Sequence, residues 1–479
     1  MTGTTERAAV LSADVAVIGG GLAGLVAANR AAEAGLAVAV FEKGADERYL
    51  CNTRLTGGFF HIALHDINSP PDELRRILQH ATRGAARPDM IDALADDAGR
   101  ALAWLKAQGM RFIKVGPHGY QSTVFAPPGL RQTGLHWQGR GGDVVLRILA
   151  PLLTDRNNGR LVRGTRATEL VMDNGRCIGI EVEGATNGFV RAGAVVIADG
   201  GFQADSDRLR RHISPRPETL RQRNAMTGTG DGARMAEAIG AKLVGLGAFY
   251  GHVQHRDALT NDALWPYPVL DMIAASGIVV NGDGIRFCDE GEGGVAIANA
   301  VARLPDPASS IAIFDEAIWD GPGREFLLPA NPNLTKAGGE VVKSHDIVSL
   351  GAALGLPSGA LEQTVAAHNA ACASGNFAGL VPARSASPIR PWPIVTPPFR
   401  AARLCAGITY TMGGIATDAH GRVLDTNDYP IPGLYAAGST TGGLEGGAHA
   451  AYTGGLSKTL VFALRTGEAI AAQFGRRLT

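Results

Sequence analysis

The stretch Asp14-Val15-Ala16-Val17-Ile18-Gly19-Gly20-Gly21-Leu22-Ala23-Gly24-Leu25 reads as a strand, a glycine turn and the start of a helix, and Ala37-Val38-Ala39-Val40-Phe41-Glu42 reads as a second strand that ends on an acid. A short apolar run bounded by glycines suits a buried parallel strand. The glycines have separate tasks. Gly19 permits the tight turn, Gly21 lets a pyrophosphate reach the backbone, and Gly24 lets the helix lie close against the strand. The free N–H groups and partial positive charge of the helix start then face the phosphates. Glu42 follows the glycines at about 20 residues, the spacing at which a carboxylate accepts a ribose hydroxyl. Strand, turn, helix and acid together predict a βαβ unit that binds an adenine dinucleotide.

The rest of the chain bounds what surrounds that unit. With 479 residues, 45% hydrophobic and 19% charged, there is material for two or three domains with large cores. Lys+Arg and Asp+Glu both number 45, so nothing in the charge balance points to nucleic acid or to an anionic membrane surface. Cys51, Cys177, Cys288, Cys372 and Cys405 are scattered and form no CxxC pair, as expected of reduced thiols in a cytoplasmic protein. No iron–sulfur or haem spacing is present, and no metal-ligand spacing stands out, since His252 and His255 at i, i+3 would share a face only on a helix. No apolar run is long enough for a membrane span, and residues 1–12 lack the pattern of a secretion signal.

Helical periodicity predicts helices over 71–82, 89–109 and 143–154. Strands are expected over 167–172, 176–183 and 194–198, the first two joined by the turn Asp173-Asn174-Gly175. The Gly/Pro-rich stretch 116–142, with Arg131, His136, Trp137 and Arg140, is expected on the surface or lining a cleft. A second glycine cluster, Thr227-Gly228-Thr229-Gly230-Asp231-Gly232, opens a helix over 233–239. From Phe249 to Leu404 the strand–glycine–helix rhythm fades, and a proline-rich return over 385–400 follows. These shifts predict an α/β protein. A Rossmann-like domain in two parts, 1–248 and 405–479, would flank an inserted α+β capping domain, 249–404, that sets the substrate.

Further segments carry a resemblance: 53–58, Ala198-Asp199-Gly200-Gly201-Phe202, Thr229-Gly230-Asp231-Gly232, Gly277-Ile278-Val279-Val280-Asn281, Arg286-Phe287, Asp289-Glu290, Met412-Gly413-Gly414 and Pro432-Gly433-Leu434-Tyr435-Ala436-Ala437-Gly438. With the N-terminal fingerprint, they resemble flavoproteins of the fumarate reductase/succinate dehydrogenase superfamily, over nearly the whole chain. The run from Phe249 to Pro268 is similar to its branch of tricarballylate dehydrogenase-like and 3-ketosteroid dehydrogenase-like enzymes. The resemblance implies FAD as the dinucleotide. It places Gly19, Gly21 and Gly24 at the pyrophosphate and Glu42 at the ribose. Lys43, Thr53, Gly57 and Gly58 would lie along the cofactor, with Ala167 at the adenine and Asp231 toward the ribityl or phosphate region. Gly438 would approach the flavin tail, and Leu456 and Ser457 would offer N–H groups to the pyrimidine edge.

Departures from the family pattern bear on the substrate. A proton-donor arginine is expected after Asp289-Glu290, where this chain has Gly291-Glu292-Gly293-Gly294; the arginine before the late glycine pair is missing from 448–455; and Thr409, Tyr410 or Thr411 replaces a histidine. Fumarate or succinate is therefore not the expected substrate. The flavin-linking histidine is absent from 50–54, so FAD is expected to bind non-covalently, Cys51 being the one conceivable anchor. Candidate catalytic groups are Tyr452, Tyr410, His252 and Arg256; Arg256 and Arg54 could each pair with a substrate carboxylate, which a guanidinium matches bidentately, Glu445 and His449 could line the pocket, and Arg286 is a structural residue. Each also has a plainer reading as a packed or hydrogen-bonded structural residue. The expected activity is desaturation, or the reverse reduction, of a C–C bond next to a carbonyl or carboxylate of a small organic molecule, with hydride exchanged at flavin N5. Loss of the arginine proton donor favours the dehydrogenase direction. A non-redox isomerase or lyase and a hydroxy- or amino-acid oxidase are the alternatives. No second complete glycine fingerprint is present, so electrons are expected to pass to a separate acceptor, a quinone, a carrier protein or oxygen.

Overall fold

The computed structural model describes residues 8–129 and 132–478; Arg131 lies outside the described residues. The strand Leu11–Ile18 pairs in parallel with Val38–Glu42 on one side and with Gly188–Ile197 on the other. Gly159–Arg163 extends the sheet past Val38–Glu42, and Pro430–Ala436 extends it past Gly188–Ile197. The chain thus leaves the first strand in one direction and later returns on its opposite side. The crevice outside the carboxyl ends at such a reversal is where open α/β sheets hold ligands. Both faces of the sheet are covered. Val15, Val17 and Val40 pack into one core, and Ala16, Ile18 and Phe41 into another. That is why the strands are apolar throughout and do not alternate.

The helix Gly455–Gln473 lies against Leu22–Glu33, close enough that a Cβ on Gly467 would meet the Ala27 carbonyl at 2.8 Å. The expected helices form as Pro71–Thr82, Pro88–Ala107, Gly141–Thr154 and Asp231–Ala238. The expected hairpin is Thr165–Asp173 with Arg176–Gly184, turning through Asn174 and Gly175, both at positive φ, as a two-residue hairpin turn requires.

A second, mostly antiparallel sheet is organised by one long strand, Phe399–Thr411. It pairs with Phe249–His255, Ile311–Phe314, Val342–Ser344 and Arg221–Gln222, and Ile278–Val280 extends the sheet beyond Ile311–Phe314. Its core takes Val253, Leu404 and Ile408 from the sheet, Ile297 and Val301 from the helix Gly294–Arg303, and Phe202, Leu209 and Ile213 from the segment after the first sheet. The long strand runs from this core to the cavity described next, where Thr409 and Tyr410 form part of the wall. Among the described residues no helix is long and apolar enough to cross a membrane.

Candidate active site

A cavity of about 1760 Å³ follows the carboxyl ends of the parallel strands and continues beneath the second sheet. This exceeds the roughly 300–1,000 Å³ of a site for one small ligand, so a dinucleotide and a substrate fit together. Gly19, Gly21, Glu42, Lys43, Thr53, Gly57 and Gly58 line it, as do Ala167, Asp231, Gly438 and Leu456. His118, His136, Trp137 and Arg140 place the Gly/Pro-rich stretch along a cleft wall.

The glycines separate into two kinds. Gly19 turns at φ +102°, and a Cβ there would meet the Ala198 carbonyl oxygen at 2.6 Å; a Cβ on Gly24 would meet the Gly19 carbonyl oxygen at 1.9 Å. Those two serve the protein's own packing, and Gly24 stands behind the wall. Gly21 adopts an ordinary φ of −75°, and a Cβ on it would meet only Thr53 Oγ1, at 3.5 Å. It caps Leu22–Glu33 with no side chain of its own; Thr53 Oγ1 takes the Leu22 N–H at 3.0 Å, and the N–H groups that follow in the first turn are left for an anion. Gly21→Val is therefore expected to fold normally yet to bind FAD on the order of 100-fold more weakly, since one charge-assisted backbone contact of up to ~3 kcal/mol is blocked. Flavin content after dialysis, beside an unchanged circular dichroism spectrum, checks this.

Glu42 is buried, with Oε2 accepting from Gly20 N–H at 2.9 Å and Oε1 from Gly44 N–H at 2.7 Å. Each oxygen keeps capacity for a ribose hydroxyl. Burial pushes its carboxyl up, and the two backbone donors oppose that. Asp231 accepts from Arg166 at 2.6 and 3.0 Å, from Arg234 at 2.7 Å and from Thr229 Oγ1 at 3.1 Å. Burial alone would raise its pKa, but the arginine hydrogen bonds and the Lys43 charge hold it well below the carboxylate range. Asp231 thus sits beside Lys43 and the Arg166-Ala167 segment, at the Glu42 end of the cavity. Asp199, also in the wall, has Oδ1 buried without a partner, and burial pushes its carboxyl up to about 6.

At the other end, Gly454 starts Gly455–Gln473 at φ +115°, with no acidic residue in the first turn. The positive end of this helix faces the cavity through Gly455 and Leu456. Ser457 is fully buried and spends its hydroxyl on the His61 carbonyl at 2.8 Å, which leaves only its backbone for a cofactor. Cys51 lines the cavity, and burial pushes its thiol up to about 11. Arg54 is committed to Asp143 and, at 2.7 Å, to the Tyr49 carbonyl.

Beneath the second sheet, three tyrosines converge. The Tyr250 and Tyr452 rings stack at 4.0 Å, and Tyr410 lies 5.4 Å from Tyr250. Their environments differ. Tyr410 O–H donates to Glu445 at 3.0 and 3.2 Å, and Glu445 also accepts from Thr453 N–H at 2.9 Å and pairs with Lys458 at 3.0 Å. Tyr452 Oη accepts from Gly455 N–H at 3.4 Å. Tyr250 Oη lies 3.1 Å from His252 Nε2, while His252 Nδ1 lies 2.6 Å from Asp271 Oδ2. Asp271 is itself fixed by Val253 N–H at 2.8 Å. The carboxylate thereby holds the proton on Nδ1 and presents Nε2 as an acceptor to Tyr250. Burial, aided by the Arg223 charge and opposed by Asp271, depresses the His252 pKa. Burial raises the pKa of all three phenols, Tyr410 further through Glu445.

Of the residues expected at the chemistry, Tyr452, Tyr410 and His252 meet in this chamber and Arg256 does not. The strand Phe249–His255 ends just before it, and Arg256 opens a short 3-10 turn outside the cavity wall. His252 and His255 lie on that strand and serve different partners, Asp271 and the Glu340 carbonyl. His449 stands at the mouth, 3.1 Å from Arg83, which pairs with Glu292 at 2.8 and 2.9 Å. Sequence reading missed Tyr250, Asp271, Lys458 and Arg223. Tyr250 was within reach of it, because residues i and i+2 of a strand share a face and His252 was already a candidate.

Residues 14–456 match the family described as FAD binding domain. The chain is 27% identical over 463 residues to a fumarate reductase (cytochrome) of Shewanella frigidimarina, covering 92% of this chain and 75% of that one. It is 26% identical to a 3-oxosteroid 1-dehydrogenase of Mycolicibacterium smegmatis, covering 94% and 95%. Its fold is similar to that of 3-ketosteroid-Δ4-(5α)-dehydrogenase from Rhodococcus jostii RHA1, with a TM-score of 0.73 at 23% identity over 98% of each chain.

Proposed function

The chain belongs to the FAD binding domain family, and from that premise we propose that it is a dehydrogenase that removes hydrogen across a C–C bond next to a carbonyl. FAD binding and oxidoreductase chemistry on CH–CH groups follow from its relatives, which act in both directions. FAD, when bound, supplies the acceptor for the hydride. The chain supplies the rest. Gly455 N–H donates to the Tyr452 oxygen, and the Tyr452 hydroxyl is hydrogen-bonded to Tyr250, so it must turn from Tyr250 to the substrate to donate. It is the group we assign to polarise the substrate carbonyl, with the positive end of Gly455–Gln473 behind it. Tyr250 takes the substrate proton and passes its own to His252, whose Nδ1–H stays on Asp271. Tyr410, with its only proton on Glu445, positions the other two rings.

The observation that carries the reading is the Tyr250–His252–Asp271 line, a hydroxyl backed by an acceptor that can exchange a proton with the substrate. The direction rests on Gly291-Glu292-Gly293-Gly294 standing where a proton-donor arginine is expected. FAD is held without a covalent bond in this reading, Cys51 remaining a neutral thiol. The electron acceptor is a separate quinone, carrier protein or oxygen, and the five free cysteines support a cytoplasmic setting. To test it, the flavin band near ~450 nm is followed without oxygen against a panel of saturated carbonyl compounds and carboxylates. Bleaching by one of them is the expected result. Re-oxidation of chemically reduced enzyme by an unsaturated partner, without bleaching by any saturated one, reverses the direction; no response either way rejects the redox reading.

A pH dependence follows. The folded-state pKa of His252 lies below the ordinary 6.5, so its neutral form persists at neutral pH and is lost only as pH falls below that value. The rate of flavin reduction is therefore flat through neutral pH and drops on an acid limb below 6.5. His252→Gln removes that limb together with most of the rate. The same depression makes folding stability decline as pH falls from 6.5 toward the folded pKa, because only the unfolded chain binds the proton there.

A further inference from the structure

A guanidinium taken out of water requires a counter-charge, because a buried ion left unpaired is strongly destabilising. Among the described residues Arg54, Arg208, Arg223, Arg286, Arg384 and Arg400 are buried. Carboxylates answer all but one of them: Asp143 for Arg54, Glu237 for Arg208, Glu290 for both Arg286 and Arg384, and Glu316 for Arg400. Arg223 has none among the described residues. It is 8% exposed, its Nη2 donates to the Pro266 carbonyl at 2.9 Å, and its Nη1 reaches Thr409 Oγ1 only at 3.5 Å. Its Nε is buried without a partner, and the guanidinium lies 5.7 Å from the Tyr267 ring centroid. Arg223, Thr409, Pro266 and Tyr267 all line the substrate end of the cavity with Tyr250 and His252. The charge is close enough to work against protonation of both of those groups.

We propose that Arg223 binds a carboxylate of the substrate and that the substrate is an amphipathic monocarboxylate. This rests on reading the chamber beneath the second sheet as the substrate site. A planar guanidinium with N–H groups to spare matches a carboxylate edge to edge. Apolar side chains stand in the wall beside it, among them Met272, Val295, Phe326, Leu327 and Ile389. That surface suits a single anionic group on a hydrocarbon body. Arg83 at the mouth is bound to Glu292, which leaves Arg223 as the cation beside Tyr250 and His252. Arg223 precedes the Thr229-Gly230-Asp231-Gly232 cluster, a different place in the chain from the arginines expected by family resemblance after Asp289-Glu290 and before the late glycine pair.

The test needs binding and not turnover, so it stands apart from the bleaching experiment. The FAD-loaded enzyme is titrated with benzoate, 3-phenylpropanoate and decanoate, each beside its uncharged amide, and perturbation of the flavin spectrum is read. At least one carboxylate is expected to bind well above its amide. Arg223→Met is expected to weaken that carboxylate about 100-fold and leave the amide unchanged. Arg223→Lys, which keeps the charge and loses the planar fork, falls between them. If Arg223→Met does not fold, the wild-type carboxylate–amide ratio and its reduction in Arg223→Lys still decide. Equal binding of acid and amide by the wild type overturns the assignment. So does equal weakening of both in either variant, or a variant whose only change is in FAD content or in the spectrum without ligand.

Discussion

Replacing Tyr250 with phenylalanine is expected to slow flavin reduction about 10³-fold, within the 10²–10⁴ that a positioned acid–base group contributes. The ring stack on Tyr452 survives the change, because only the hydroxyl is lost. FAD content and substrate affinity should therefore stay near wild type, and the defect should fall on the rate of bleaching in rapid-mixing experiments. The acid limb of the pH profile should vanish with it, since His252 Nε2 no longer has a hydroxyl proton to accept. Tyr410→Phe makes the contrast: its hydroxyl is engaged by Glu445, so the loss is expected to be smaller and to leave the acid limb in place. A Tyr250→Phe enzyme within tenfold of wild type would reject the relay.

Lys458→Met is expected to destabilise the fold by about 3–5 kcal/mol, the cost of stranding one member of a buried ion pair. Glu445 is 3% exposed and Lys458 2% exposed, with 3.0 Å between them. Methionine keeps the approximate volume of the lysine side chain and removes its charge. Glu445 would then retain Tyr410 and Thr453 as donors without a counter-cation. The double variant Glu445→Gln with Lys458→Met removes both charges and should recover most of the loss, because a buried pair is often replaceable by neutral groups at little cost. Denaturant unfolding of the apo forms measures both. A single variant within 1 kcal/mol of wild type, an outcome typical of exposed ion pairs, would show that water reaches the pair.

The dinucleotide half was legible because its signals are local. The turn at Gly19 and the contact between Gly24 and the Gly19 carbonyl are built within six residues of chain, and the hairpin turn at Asn174 and Gly175 is fixed by two φ angles. The tyrosine chamber was legible only where one element carried the information, as in the late segment that brings Tyr452. Asp271 becomes the partner of His252 across a strand-to-helix connection. Lys458 reaches Glu445 because a glycine loop folds back onto a helix start. Nothing in Gln222-Arg223-Asn224 marks the central arginine: its distinction is the absence of a carboxylate among its described neighbours, which no spacing encodes. Arg256 lies outside the cavity wall for the converse reason. It follows His255 directly, but the strand ends there and the backbone turns away from the cavity.

The strand Phe399–Thr411 holds the second sheet together through four neighbours and ends at the wall that carries Thr409 and Tyr410. It is a shared spine: Phe399 lies some 11 residues from Tyr410, roughly 35 Å along an extended chain, so a change of packing at its outer end is expected to be felt as a shift of the ring at its inner end. Natural variation in the outer half is therefore expected to come in compensated pairs, one change at the surface and one beside the tyrosines. Anyone grafting that half from a relative to alter selectivity would have to transplant the strand whole, together with Phe249–His255, because a junction placed within it would interrupt the pairing that the two share.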